Sequence, residues 1–223
     1  MAFQPYGPSH WAVLALFAAV SAALVLVGGS RRGERAAAVV MAVLFAGMVV
    51  YLNTPPRFGW GHSLPLQLSD LVTVSAICAL WSRARWAYAL TYYWALVLST
   101  QALVSPALSG PDFPSVEFLV FWGLHLAVVW VAIYQTWGLG MRPDWRDYRV
   151  AVVVSLAWAG VALGVNALSG GNYGFLSRKP EVDSLLDLLG PWPWYLLPVV
   201  VLVFGVWALM TWPWTRQRSR CTT

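Results

Sequence analysis

Charge is the scarcest ingredient of this chain. Only 10% of its 223 residues are Asp, Glu, Lys or Arg, against about a quarter in an average soluble domain. With a hydrophobic share of 59%, that deficit excludes soluble globular folding. Lysine occurs once, as Lys179, outside any apolar run, so the chain has no lysine at membrane depth for a retinal Schiff base. The two cysteines, Cys78 and Cys221, are too few and too far apart for a disulfide framework or a zinc ribbon. The three histidines are His10, His62 and His125. Their spacing does not signal a catalytic zinc site, which typically takes three protein ligands and a water. No metal or other cofactor is implied. There is no internal repeat and no low-complexity tract, which argues against a carrier built from paired halves. One membrane domain over residues 1–223 is expected.

What is present is apolar and aromatic. Fifteen Trp and nine Tyr supply the aromatic load expected near lipid headgroups. A helix needs about 20 apolar residues to cross ~30 Å of hydrocarbon. The hydropathy pattern predicts seven such spans, at about 11–29, 36–52, 64–81, 87–104, 115–137, 149–168 and 191–212, giving an all-α, multi-pass protein. Asn53-Thr54-Pro55-Pro56 closes the second span, Pro111 and Pro114 precede the fifth, and Arg142-Pro143-Asp144 follows it. The first ten residues carry no basic side chain and so lack the n-region of a signal peptide. An uncleaved first span is the expectation.

The net charge of +5 does not point to nucleic acid, because the arginines cluster in short loops between apolar runs, where they set topology. Eleven basic residues fall on one side of the predicted bundle: Arg31, Arg32, Arg35, Arg83, Arg85, Arg142, Arg146, Arg149, Arg216, Arg218 and Arg220. Three, Arg57, Arg178 and Lys179, fall on the other. The split predicts an outer N-terminus and a cytoplasmic C-terminus. The preference for Arg over Lys, 13 to 1, and for Ala and Val suggests a high-GC bacterial source and hence a cytoplasmic (plasma) membrane.

Within the spans, two ionisable residues stand out. Asp70 lies in Leu64-Pro65-Leu66-Gln67-Leu68-Ser69-Asp70-Leu71, and His125 in Phe121-Trp122-Gly123-Leu124-His125-Leu126. A charge at the centre of a bilayer costs at least ~2.5–3.5 kcal/mol, so such residues face a bundle interior and often carry function. On a helical wheel, Gln67, Ser69, Asp70 and Thr73 share an arc of about 160°. His125 is a candidate general base for a hydroxyl nucleophile, with Ser69 the first choice and Thr73 the second. Asp70 would orient the imidazole or balance its charge. Gln67, or amide N–H groups at the start of the third span, would stabilise an oxyanion. The same residues also suit a proton relay or an interhelical packing network, and spacing alone does not choose.

Asn166 sits at the outer end of the sixth span. The loop that follows contains Asn172, Tyr173, Arg178 and Lys179. It reads as a lid or an anchor, with Arg178 and Lys179 able to hold a lipid phosphate. The leucine pairs 185/186 and 188/189, opposed by Asp183 and Asp187, predict a short interfacial helix. Pro191 and the Trp-rich segment after it predict a headgroup anchor for the seventh span.

These stretches resemble one family. Ser63-Leu64-Pro65-Leu66-Gln67-Leu68-Ser69-Asp70-Leu71, the mid-span His125, and the run from Asn172-Tyr173 through Lys179-Pro180 to Pro191-Trp192-Pro193-Trp194 are similar to the YwaF family. This is a group of bacterial integral membrane proteins related to animal transmembrane protein 164. The resemblance covers about residues 40–212. It implies acyl transfer on membrane phospholipids by a membrane-embedded nucleophile and a histidine, here His125. The family pattern commonly has Cys where this chain has Ser69, and a serine needs a well-placed base where a thiolate does not. Protein partners are not implied.

Overall fold

A computed structural model of the chain describes residues 2–106, 108, 110–180 and 185–220, without the side chains of residues 185 and 217–220. Among the described residues the regular elements are helices: α1 (Pro8–Leu26), α2 (Arg31–Asn53), α3 (Leu68–Ser82), α4 (Arg85–Tyr93), α5 (Gln101–Val104), α6 (Val116–Ile133), α7 (Trp145–Ser169) and α8 (Leu196–Arg220). π-helical segments at Trp94–Ser99 and Tyr134–Gly138 continue α4 and α6, and 3-10 turns lie at Tyr173–Phe175 and Leu185–Leu189.

Among the described residues, five helices are long and apolar enough to cross a membrane: Pro8–Leu26, Arg31–Asn53, Val116–Gly138, Trp145–Ser169 and Leu196–Arg216. They coincide with the first, second, fifth, sixth and seventh predicted spans. The third and fourth differ in a definite way. The expected span at 64–81 starts as helix only at Leu68, because Pro65 lacks an N–H and restrains Leu64 to extended backbone. The helix that remains has 15 residues and is ~22 Å long, shorter than the hydrocarbon core. The expected span at 87–104 is helical throughout most of its length but is interrupted by the π segment Trp94–Ser99. The last span begins at Leu196 rather than 191, because the prolines at 191 and 193 hold Pro191–Tyr195 in turns. The predicted interfacial helix is the 3-10 turn Leu185–Leu189; Asp183 and Ser184 lie outside the described residues.

The helix ends follow local chemistry. Ser115 caps α6 by accepting the Phe118 N–H at 3.2 Å. Asp144 and Asp147 form a reciprocal capping box on α7, whose other end closes on Gly170 in the left-handed region at φ 67°. The chain divides into two compact units. Unit 1 is Met1–Met48 with Val72–Arg142, and unit 2 is Val49–Leu71 with Pro143–Thr223; the divisions fall inside α2 and α3.

In unit 1, α1 packs on α6 around Phe3, Val13, Leu103, Phe118, Trp122 and Leu126. His10 is wholly buried in this core. Its Nδ1 accepts the Tyr6 N–H at 2.9 Å and its Nε2 donates to the Leu103 carbonyl at 3.1 Å, so both ring nitrogens are used structurally. The π segment after α6 touches the end of α1 at Gly138. A Cβ there would stand 2.6 Å from the Leu24 carbonyl oxygen, so only glycine admits this approach. In unit 2, α7 packs on α8 and on the turn at Tyr173–Phe175.

Candidate functional site

The first turn of α3 carries the residues that the sequence singles out, but not as one helical face. Gln67 precedes the helix. Its N–H donates to Asp70 Oδ2 at 3.0 Å, while its carbonyl accepts the N–H groups of Asp70 and Leu71 at 3.0 and 3.2 Å. Gln67 is therefore the cap and Asp70 the acid at the third helical position, the reciprocal half of a capping box. The wheel applies to Ser69, Asp70 and Thr73 only. Asp70 and Thr73 are buried and Ser69 is half-buried, as a polar face in an apolar chain requires. An acid here also opposes the positive end of the helix dipole, which gives Asp70 a structural role in addition to any chemical one.

Within unit 2 the irregular segment ahead of α3 is held from both sides. The Tyr173 hydroxyl donates to the Trp60 carbonyl at 2.9 Å and accepts the Leu64 N–H at 3.0 Å. The Trp158 indole N–H donates to the Leu66 carbonyl at 2.9 Å. Gly174 N–H donates to Gln67 Oε1 at 3.1 Å. Asn166 fixes the other strand of this clamp: its Oδ1 accepts the Tyr173 N–H at 2.7 Å and its Nδ2 donates to the Tyr173 carbonyl at 3.1 Å. Asn166 and Tyr173 are 3% and 0% exposed, so these bonds satisfy groups that water does not reach.

Two glycines make the clamp possible. A Cβ on Gly171 would lie 2.7 Å from the Gly61 carbonyl oxygen, so the two backbones touch there. Gly174 has φ 67° and would drive a Cβ into the Trp158 ring. Backbone that is neither helix nor sheet survives in an apolar setting only when its polar groups are satisfied in this way.

The rest of the loop is stitched to itself. Asn172 Oδ1 accepts the N–H groups of Ser177 and Arg178 at 3.2 and 3.1 Å, and its Nδ2 donates to the Arg178 carbonyl at 2.9 Å. Arg178 donates to the Gly170 carbonyl at 3.3 Å, and Lys179 pairs with Asp187 at 3.2 Å. Tyr195 donates to the Phe175 carbonyl, and the Trp192 indole to the Leu176 carbonyl at 3.0 Å. Burial pushes the Tyr173 phenol above the ordinary tyrosine value; the Leu64 amide opposes that shift and the Asp70 charge adds to it.

His125 belongs to unit 1. Its Nδ1–H donates to the Phe121 carbonyl at 2.8 Å, and its ring lies 4.4 Å from that of Phe121, centroid to centroid. The carbonyl fixes the tautomer of the neutral ring and leaves Nε2 with its lone pair, the state a general base needs.

Unit 1 also contains a polar centre that sequence reasoning missed. Glu34, 2% exposed at its side chain, accepts from Arg31 at 2.8 Å, from both Nε and a terminal nitrogen of Arg83, and from the Tyr134 hydroxyl at 2.9 Å. Arg31 continues to the Trp81 carbonyl at 2.8 Å. The arginines near residue 31 read as a topology signal, and that pattern gave no sign of the pairing. The signal available was Glu34 itself, the one acid in an arginine cluster at the head of an apolar run. Among the described residues no group of three His, Cys, Asp or Glu stands close enough to hold a metal ion.

A family model described as the TMEM164 family matches residues 5–211. No curated protein and no solved structure matches the chain.

Proposed function

The chain belongs to the TMEM164 family, and from that premise we propose that it is a membrane-embedded enzyme that transfers or hydrolyses acyl esters of phospholipids. The observation that carries this reading is the start of α3. There a hydroxyl, Ser69, sits in the first turn of a helix whose lead-in is held by the Tyr173 phenol, the Trp158 indole and the Gly174 N–H rather than left free. First-turn amides are suited to stabilise an oxyanion, and a rigid support is what a reacting group requires.

Ser69 Oγ forms the bond to the acyl carbonyl carbon as its proton passes to His125 Nε2. The ester C–O bond then breaks, and the leaving lysophospholipid oxygen takes that proton. Water or a second lipid hydroxyl next attacks the acyl-serine, gives its proton to His125, and the acid or new ester leaves as Ser69 is reprotonated. The negative charge of Asp70 supports the imidazolium. Gln67, Thr73, Asn166, Asn172 and Tyr173 shape the substrate's surroundings, while Arg178 and Lys179 meet its phosphate.

Seven crossings, an outer N-terminus and residence in a bacterial cytoplasmic membrane belong to the same reading. The five long helices, the shorter α3, the α4–α5 stretch and the 11-to-3 split of basic residues support it. Labelling of single cysteines placed at Ser177 and Arg146 tests the orientation: an outside reagent should reach the first and not the second.

The chemical test is lipid mass spectrometry on purified protein in nanodiscs carrying isotopically labelled phospholipid. Wild type should release or exchange labelled acyl groups. His125→Ala and Ser69→Ala should each lose at least about 100-fold of that turnover. Unchanged turnover in both variants, or none in wild type, overturns the assignment.

A further inference from the structure

Unit 1 holds a cleft of about 460 Å³, within the ~300–1,000 Å³ typical of small-ligand sites, and none of the residues assigned to the reaction lines it. Its walls are apolar: Leu24 and Val27 from the end of α1, Ala37 and Val40 from α2, Ala127 and Val131 from α6. On each helix the lining residues extend over two turns, ~10 Å of length. Of the 23 residues of α2, three are buried, Glu34, Ala38 and Met41, so this helix stands off from its neighbours and the gap beside it is the cleft. Val27 and Val40 are 48% and 58% exposed, and the cleft opens there to the side of the helices. His125 falls on the other side of α6: on a helical wheel it lies about 160° from Ala127.

The polar end decides what fills it. Ser30, Glu34 and Tyr134 stand there, and their hydrogen bonds are made within the protein. A carboxylate has about four lone-pair sites, and Glu34 accepts four bonds: one from Arg31, two from Arg83 and one from the Tyr134 hydroxyl. The last of these uses the only proton of the phenol. Ser30 Oγ accepts the Gly33 N–H at 3.3 Å where α2 begins. The one charged group in the lining is thus saturated by arginines that reach it from outside the cleft, and it offers an occupant no lone pair. Water needs two or more polar partners, and a charged headgroup would be buried there without a counter-charge. A second helix is too large, because at 10–12 Å across it would take up roughly 800 Å³ over the same length. A single uncharged hydrocarbon chain meets all three conditions. We propose that this cleft holds one acyl chain of a neighbouring bilayer lipid, bound by its hydrocarbon and not by its headgroup. The chain fills the gap between α1, α2 and α6 and is not turned over.

Native mass spectrometry of the full chain in detergent, with phosphatidylcholine or phosphatidylglycerol of equal chain length added, tests the site. Wild type should retain one lipid per chain, with affinities for the two headgroups that agree within about threefold. Ala37→Trp, which fills the cleft, should weaken that retention about tenfold or more. Ala36→Trp puts the same side chain on the exposed surface outside the lining and should retain lipid as wild type does. Retention that follows headgroup charge, or that is equal in Ala37→Trp and wild type, overturns the proposal. If Ala37→Trp fails to fold, Ala127→Phe fills the cleft from the wall of α6 and decides in its place. A photo-crosslinker at Leu24, which is half-buried, should capture lipid, and capture of a second copy of the chain, or of neither, overturns the proposal. Ser69→Ala and His125→Ala should bind as wild type does, so loss of turnover and loss of this site read separately.

Discussion

Around Tyr173, hydrogen bonds join an amide, a phenol and an indole to main-chain groups, whereas around Glu34 a buried carboxylate is held by two guanidinium groups and a phenol. Both arrangements solve one problem, polar groups in a chain with little water to satisfy them, and they solve it at different risk. Neutral bonds each contribute about 0.5–1.5 kcal/mol net, and losing one partner costs about 1–3 kcal/mol. A buried ion adds little when complete, yet removal of a partner strands a charge at about 3–5 kcal/mol. The clamp in unit 2 should therefore fail gradually and the ion centre in unit 1 abruptly.

Arg83→Leu tests the abrupt side. It leaves Glu34 with Arg31 and Tyr134 alone, and about 3 kcal/mol of stability should be lost, at the lower end of the range for a broken buried pair because Arg31 remains. Thermal unfolding in detergent would show it, and a change below 1 kcal/mol would mean the ion centre is no more demanding than the neutral clamp. Asn166→Leu comes next. It strands the Tyr173 N–H and leaves the Tyr173 carbonyl with the Leu176 N–H at 3.5 Å, at a site that is almost fully buried, with an expected loss of about 2–3 kcal/mol. Proteolysis within residues 57–67 should rise in parallel, because the clamp that holds them has been opened.

The smallest effect is Tyr173→Phe, which removes the bonds to Trp60 and Leu64 and should cost about 1–2 kcal/mol at neutral pH. Its pH signature distinguishes it. The phenol's folded value is raised by burial, so the neutral form is favoured in the fold. Stability from this group is complete below the unfolded tyrosine value near 10 and is lost as pH climbs through the folded value. Wild type should thus lose stability at alkaline pH more steeply than Tyr173→Phe. Parallel alkaline curves for the two proteins would remove Tyr173 from the account.

Much of the helical plan was legible because apolar runs of span length and the prolines, asparagine and aspartate between them are local signals. Pro111 and Pro114 before α6, and Asp144 at the head of α7, mark real helix starts. The third span was legible as an apolar helix but its start was not, since hydropathy does not register that Pro65 delays helix formation until Leu68. The polar residues of the candidate site were visible one by one: Gln67, Asp70, Asn166 and Tyr173 each stood out. Their joint work was not, because Tyr173 meets Leu64 from 109 residues away and no periodicity records such a distance.

Composition and pattern by themselves determined a membrane protein of apolar helices, because 10% charge and span-length apolar runs permit no soluble core of ordinary kind. Only the tertiary structure decided what the rare polar groups do. It made Asn166 and Tyr173 a clamp, and Glu34 the partner of an arginine 49 residues later. The physical reason is that burial of apolar surface is additive along the chain and can be read locally. A buried hydrogen bond or ion pair exists only when two distant segments present the right atoms within about 3 Å of each other.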